Sequence, residues 1–225
     1  MKIISLVILQ CLSSALSKSV TSEQKANIPN GILNREVLEQ IYGANLFQIS
    51  DINLSNSNII DIEEDTFVGL TNVINLDLSH NSIDHTRHGI FDGLENMLTF
   101  DLSFNQLDYI DHEDFHELVS LVELNLSNNK IDTIDTGSFH TLAKLKKLNL
   151  EYNHLSTMLQ TTLFGMKSIQ YIHLNNNKLM TIDRSSFVGL TTLIEVRLGN
   201  NPVSLINPSM VLTLCSTNPN CSIKI

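Results

Sequence analysis

The sequence is short of cysteine, proline, tryptophan and positive charge. It holds three cysteines, four prolines and no tryptophan in 225 residues. Cys11 lies in the apolar leader, so Cys215 and Cys221 are left. Two cysteines so close together bridge each other most simply in an oxidising compartment and make no wider disulfide framework. The prolines leave the stretch between Pro29 and Pro202 free, and there a sheet ladder needs every backbone donor. Fourteen Lys and Arg stand against 24 Asp and Glu, a net charge of −10, which disfavours nucleic acid or an anionic membrane as partner. No run after the leader approaches the roughly 18 apolar residues of a membrane-spanning helix, and Ser222 to Ile225 carries no anchor tail, so no membrane insertion is expected. There is no recognisable serine or cysteine nucleophile motif and no glycine-rich phosphate loop, so no cofactor is expected.

What is present begins with Met1-Lys2, an apolar run from Ile3 to Leu12 and the small-x-small sequence Ala15-Leu16-Ser17. A charged start, an apolar middle and a small-residue cut read as a signal peptide over 1–17, hence a secreted, extracellular product.

Beyond it one pattern repeats, and Val73 and Met97 mark its period of 24 residues. Val73, Leu76, Leu78, Asn81 and Ile83 recur as Met97, Phe100, Leu102, Asn105 and Leu107, and the frame holds through Leu193, Val196, Leu198, Asn201 and Val203. Extended backwards it reaches Ile49, Ile52, Leu54 and Ile59, with Ser57 in the Asn slot. A second column of Phe67, Phe91, Phe115, Phe139 and Phe187, with Leu163 substituting, marks the return segments. Apolar and polar residues alternate at 75–79, as in a half-buried strand. One such unit cannot bury its apolar face alone, so neighbours must stack. The expected fold is an α/β solenoid: a leucine-rich-repeat horseshoe arc with a parallel concave sheet and short helical or 3₁₀ convex segments. The Asn column should serve backbone groups in buried turns, since an amide donates and accepts at once.

Ends that would otherwise expose core need caps. Asn34 is placed to start a helix through Val37, Leu38, Ile41 and Tyr42 that stops at Gly43. Val211 and Leu214 still fit the repeat columns. The division is an N-terminal cap over 18–48, seven repeats over 49–210 and a C-terminal cap over 211–225, stapled by Cys215 and Cys221.

On these residues the chain resembles the typical 24-residue class of extracellular leucine-rich-repeat proteins, and is most similar to the coil-less mosquito leucine-rich immune proteins. The resemblance implies innate immune recognition or regulation through a protein or pathogen-surface ligand. The alternative is a structural or adhesive component of an extracellular matrix or secretion. The N-terminal cap has no cysteine and there is no double-cysteine or coiled-coil tail, so a monomer or a non-covalent complex is expected.

His112-Glu113-Asp114-Phe115-His116 matches the zinc-protease pattern H-E-x-x-H. Phe115, however, belongs to the spine column, and a third ligand and a cleft are missing, so neither catalysis nor a tight metal site is expected. Repeat stacking would set His88 beside His112, and Asp92 beside His116 and His140, on the convex side.

On the concave side Asp51, Asp77, Asp101 and Glu123 face out in the N-terminal half, and Lys147, Tyr152, Tyr171, His173 and Arg197 further on, with Phe104 between. Exposed aromatics anchor interfaces, so Phe104, Tyr152, Tyr171, His173 and Arg197 are the expected partner contacts. Asn53, Asn125 and Asn220 begin glycosylation sequons, and a glycan on Asn125 should stand between Phe104 and Tyr152.

Overall fold

The computed structural model describes residues 28–182, 184–187, 189–203, 218 and 220–225. The expected signal peptide, the column residues Val211 and Leu214, and Cys215 lie outside them.

Each turn begins with a three-residue strand. Strands β2 (Asp51–Asn53), β4 (Asn75–Asp77), β5 (Thr99–Asp101), β7 (Glu123–Asn125), β9 (Lys147–Asn149), β11 (Tyr171–His173), β13 (Glu195–Arg197) and β14 (Ser222–Lys224) form one eight-stranded sheet. Every pairing is parallel, and up to β13 each residue meets its counterpart one turn on, as Ile52 meets Leu76 and Leu76 meets Phe100. The middle residues Ile52, Leu76, Phe100, Leu124, Leu148, Ile172 and Val196 are buried, so their neighbours on either side face out. Two residues beyond each of these, Leu54, Leu78, Leu102, Leu126, Leu150, Leu174 and Leu198 turn inward to share the core.

The Asn column does what the turn requires. Asn81 Oδ1 accepts from the Ser57 and Ile59 amides of the preceding turn at 2.9 and 3.0 Å. Its Nδ2 donates to the Leu54 and Leu78 carbonyls, both at 2.9 Å, tying two turns together. Asn105, Asn129, Asn153, Asn177 and Asn201 donate in the same way to the carbonyls of their own and the preceding turn.

Across the core, the rings of Phe67, Phe91, Phe115 and Phe139 stack at centroid spacings of 6.3, 6.3 and 6.1 Å. Burying each ring is worth about 1.5–3 kcal/mol. The return segments, expected as short helical or 3₁₀ pieces, are 3₁₀ helix at Gln160–Leu163 and Arg184–Phe187 and consecutive turns in most of the others. Turns pack there at backbone contact distance, for a Cβ on Gly93 would lie 2.4 Å from the Phe67 carbonyl oxygen. Short parallel pairs extend the stacking: β6 (Tyr109–Ile110) with β8 (Thr133–Ile134), and β10 (Thr157–Met158) with β12 (Thr181–Ile182).

Helix α1 (Arg35–Tyr42) closes the N-terminal end, with the Val37 amide donating to Asn34 Oδ1 at 3.0 Å and Gly43 ending it at φ 60°. Val37 and Leu38 turn onto the core. Before it, β1 (Ile32–Leu33) pairs with β3 (Asp61–Ile62), an addition the repeat pattern did not indicate. At the other end β14 continues the sheet off the period, and Asn218 Nδ2 donates to the Leu193 carbonyl at 2.8 Å. Cys221 is disulfide-bonded.

Candidate functional site

The outward strand residues form two columns. One runs Asp51, Asn75, Thr99, Glu123, Lys147, Tyr171 and Glu195, the other Asn53, Asp77, Asp101, Asn125, Asn149, His173 and Arg197. Over the N-terminal half they floor a depression of about 400 Å³ extending from Asp51 to Asn149. Its carboxylates are held by short polar side chains. Ser50 and Asn75 bond to Asp51 and keep its carboxyl below the ordinary range. Asp77 Oδ1 accepts from the Ser79 amide at 2.9 Å. Asp101 accepts from the Ser103 amide and hydroxyl at 2.8 and 2.6 Å and from Asn125 Nδ2 at 3.0 Å. Among the wall carboxylates Glu123 has a cation nearby, Lys147 Nζ at 3.7 Å. These bonds fix the directions in which the Asp51, Asp77 and Asp101 carboxylates point across the floor. Sequence reasoning named its acids but not the depression, which appears only when strands are read across the sheet, where Asn75, Thr99 and Asn149 join them.

In the C-terminal half two of the expected contacts, His173 and Arg197, are engaged with glutamates of the sheet. His173 is 9% exposed, its ring between Glu151 and Glu195, 4.0 and 3.8 Å from their Oε1 atoms. Burial lowers its pKa first, with Arg197 and Lys147 adding to that and Glu151 and Glu195 opposing it. Arg197 is turned to Glu195, its Nε 2.7 Å from Oε1. Tyr171 is half-buried in the sheet.

Phe104 and Tyr152 are exposed, 46% and 54%, but they are not in the strand columns. They belong to a rim just past the strands, made of Asn56, His80, Phe104, Asn128, Tyr152, Asn176 and Asn200, all at φ between 54° and 57°. The turn ahead of each buried Asn forces this left-handed backbone. Asn tolerates it, whereas it disfavours bulky side chains. Phe104 stacks on His80 with centroids 4.2 Å apart. Asn128, and not Asn125, is the rim residue between Phe104 and Tyr152, so a glycan on Asn125 would rise from the sheet beside them. The Asn125 Nδ2 that a glycan would occupy is bonded to Asp101, whereas Asn53 is exposed on the edge strand. Asn220 is exposed next to β14.

On the convex side 112–116 is a run of turns, so the H-E-x-x-H residues do not share a helical face. Phe115 points into the core at 0% exposure. His88 stacks on His116, centroids 5.2 Å apart, and not on His112 as simple repeat stacking suggests. His140 Nδ1 pairs with the Gly137 carbonyl at 2.7 Å.

A family model described as leucine rich repeat matches residues 47–107, 71–131 and 120–179. No curated protein sequence matches the chain. Among solved structures, a chain of the TLR13–ssRNA13 complex is 24% identical with a TM-score of 0.51, over 67% of this chain and 27% of that one. A chain of the octameric complex of Latrophilin 3, Unc5D and FLRT2 is 24% identical with a TM-score of 0.61, over 69% of this chain and 47% of that one. The present chain thus spans less than half the length of either, and the likeness is one of fold.

Proposed function

This chain belongs to the leucine-rich-repeat family, and from that premise we propose that it is a secreted recognition protein that holds a protein or pathogen-surface partner against the concave sheet and its rim. The observation that carries this is the rim. Five of its seven residues are Asn or His, which accept a left-handed backbone at low cost, and the two that are not, Phe104 and Tyr152, are exposed aromatics. They stand two strand steps apart, about 10 Å at the spacing of a parallel sheet. Large rigid rings beside an acidic depression suit a partner with an apolar ridge flanked by basic groups. Binding, not catalysis, is the proposed mode, because the one catalytic-looking motif lacks the helix its chemistry uses. Net charge of −10 and the acidic floor argue against nucleic acid as the partner. The leader-like N-terminus, the disulfide at Cys221 and the three sequons support secretion, and no helix of the described residues is long and apolar enough to cross a membrane.

Innate immune recognition is the proposed setting, on the resemblance to the coil-less immune proteins. Purified protein is incubated with microbial surfaces and with body fluid, and what co-purifies is identified. A soluble or microbial partner released by Phe104→Asn with Tyr152→Asn is the expected result. Retention in an insoluble matrix would move the protein to an adhesive role. A partner that binds the double variant unchanged would remove the rim from the interface.

A further inference from the structure

Away from the concave face, three side chains of two successive return segments converge. Glu113 Oε2 lies 3.6 Å from His88 Nδ1 and 3.9 Å from His116 Nδ1, and ligand atoms of all three residues fall within 4.8 Å of one another. Zinc bonds to nitrogen and oxygen are about 2.0–2.2 Å, so donors across a tetrahedral edge stand about 3.3 Å apart. Closing on an ion therefore asks for a contraction of roughly 0.5 Å between Glu113 and each histidine and of at most about 1.5 Å across the cluster, within the reach of partly exposed side chains. The His116 ring is already oriented: its Nε2 lies 2.9 Å from Glu117 Oε1, the carboxylate–imidazole pairing that fixes a ring and leaves the other nitrogen for a metal. Glu113 is steadied likewise, with His112 Nε2 3.2 Å from its Oε1 and Asp111 Oδ1 2.7 Å from His112 Nδ1.

We propose that His88, Glu113 and His116 form a surface site for a divalent transition ion of the zinc class, clamping two neighbouring turns together. Two imidazoles and one carboxylate favour zinc over calcium or magnesium, which ask for oxygen ligands. Three protein ligands leave the fourth tetrahedral position to water or to a group from outside. The clamp is independent of the concave binding face, because its residues leave the core from the opposite side of the turn.

Zinc chloride titrated by calorimetry into the metal-free purified protein tests this, with cobalt chloride and its visible absorption reporting tetrahedral geometry. One ion per chain is expected, with a micromolar or tighter dissociation constant and a zinc-dependent rise in melting temperature. His88→Ala and His116→Ala, both away from the core, should each weaken binding at least about tenfold, and Glu117→Gln, which only orients a ligand, by about 10–100-fold. His140→Ala should leave it unchanged. Circular dichroism confirms that each variant is folded. No stoichiometric uptake by the wild type, or uptake with equal affinity in folded His88→Ala and His116→Ala, would mean that the site does not exist.

Discussion

Asn129 and its predecessor Asn128 occupy one turn of backbone and live under different rules. In the column of Asn129 every turn from Asn81 onward presents a buried Asn, whereas the column of Asn128 is open to water and varies between Asn, His, Phe and Tyr. The inner column is fixed by function within the fold: its side chain must both accept and donate where water cannot help. The outer column is fixed only by its backbone angle, so a residue there that suits the angle poorly reports a demand from outside the fold. Phe104 and Tyr152 are such residues.

The largest expected effect breaks the inner column. Asn129→Ala orphans the Leu107 amide, which donates to its Oδ1 at 3.1 Å, and removes the bonds its Nδ2 makes to the Leu102 and Leu126 carbonyls at 3.0 and 3.1 Å, which keep their second donors on Asn105 and Asn153. The amide left unpaired costs about 1–3 kcal/mol and each of the two lost bonds about 0.5–1.5 kcal/mol, so a loss of about 2–5 kcal/mol in urea unfolding is expected. A loss under about 0.5 kcal/mol, the scale of ordinary surface changes, would erase the contrast between the columns. Next in size and opposite in sign is Tyr152→Asn. Relieving a bulky residue of the left-handed angle should stabilise the fold by about 1 kcal/mol while weakening partner binding. Phe104→Asn should gain less, because it forfeits the stack on His80. Destabilisation by Tyr152→Asn would show that the ring serves the fold and not a partner.

The smallest effect concerns His173, buried like the inner column yet ionisable. Its folded pKa lies below the ordinary 6.5 because burial disfavours the imidazolium. As pH falls below 6.5 the unfolded chain takes up the proton first, so stability present above that value is lost on the way down through the folded pKa. Wild-type melting temperature should therefore drop more between pH 7.5 and pH 5 than that of His173→Gln. Equal slopes would mean that Glu151 and Glu195 offset the burial completely.

How far these features were legible follows from what sets them. Period, core columns and the Asn ladder follow from spacing, since each is a constraint repeated in every turn, and Asn34 and Gly43 bounded α1 by local backbone chemistry alone. The candidate site was legible in composition and not in placement. Phe104 and Tyr152 are only three residues past the ends of β5 and β9, yet the left-handed turn carries them off the sheet. His88 has two histidines within reach one turn on, and side-chain direction, which spacing does not encode, decides for His116. His173 reads as an outward strand residue and is one, but Glu151 and Glu195 close over it. Strand β14 breaks the period and so left no trace in the pattern.

The Asn ladder also bears on inheritance. Because Asn81 serves amides of the turn before it, and each later Asn does the same, the bonds broken by excising a turn are remade by the turn that closes the gap. An in-frame loss of residues 106–129 would bring Lys130 up to Asn105 with every column still in phase. A single inserted residue inside a strand would instead send buried leucines to the surface. The heritable unit of change in this molecule is the whole turn, so its span can lengthen or shorten across generations while the surface of each remaining turn varies on its own.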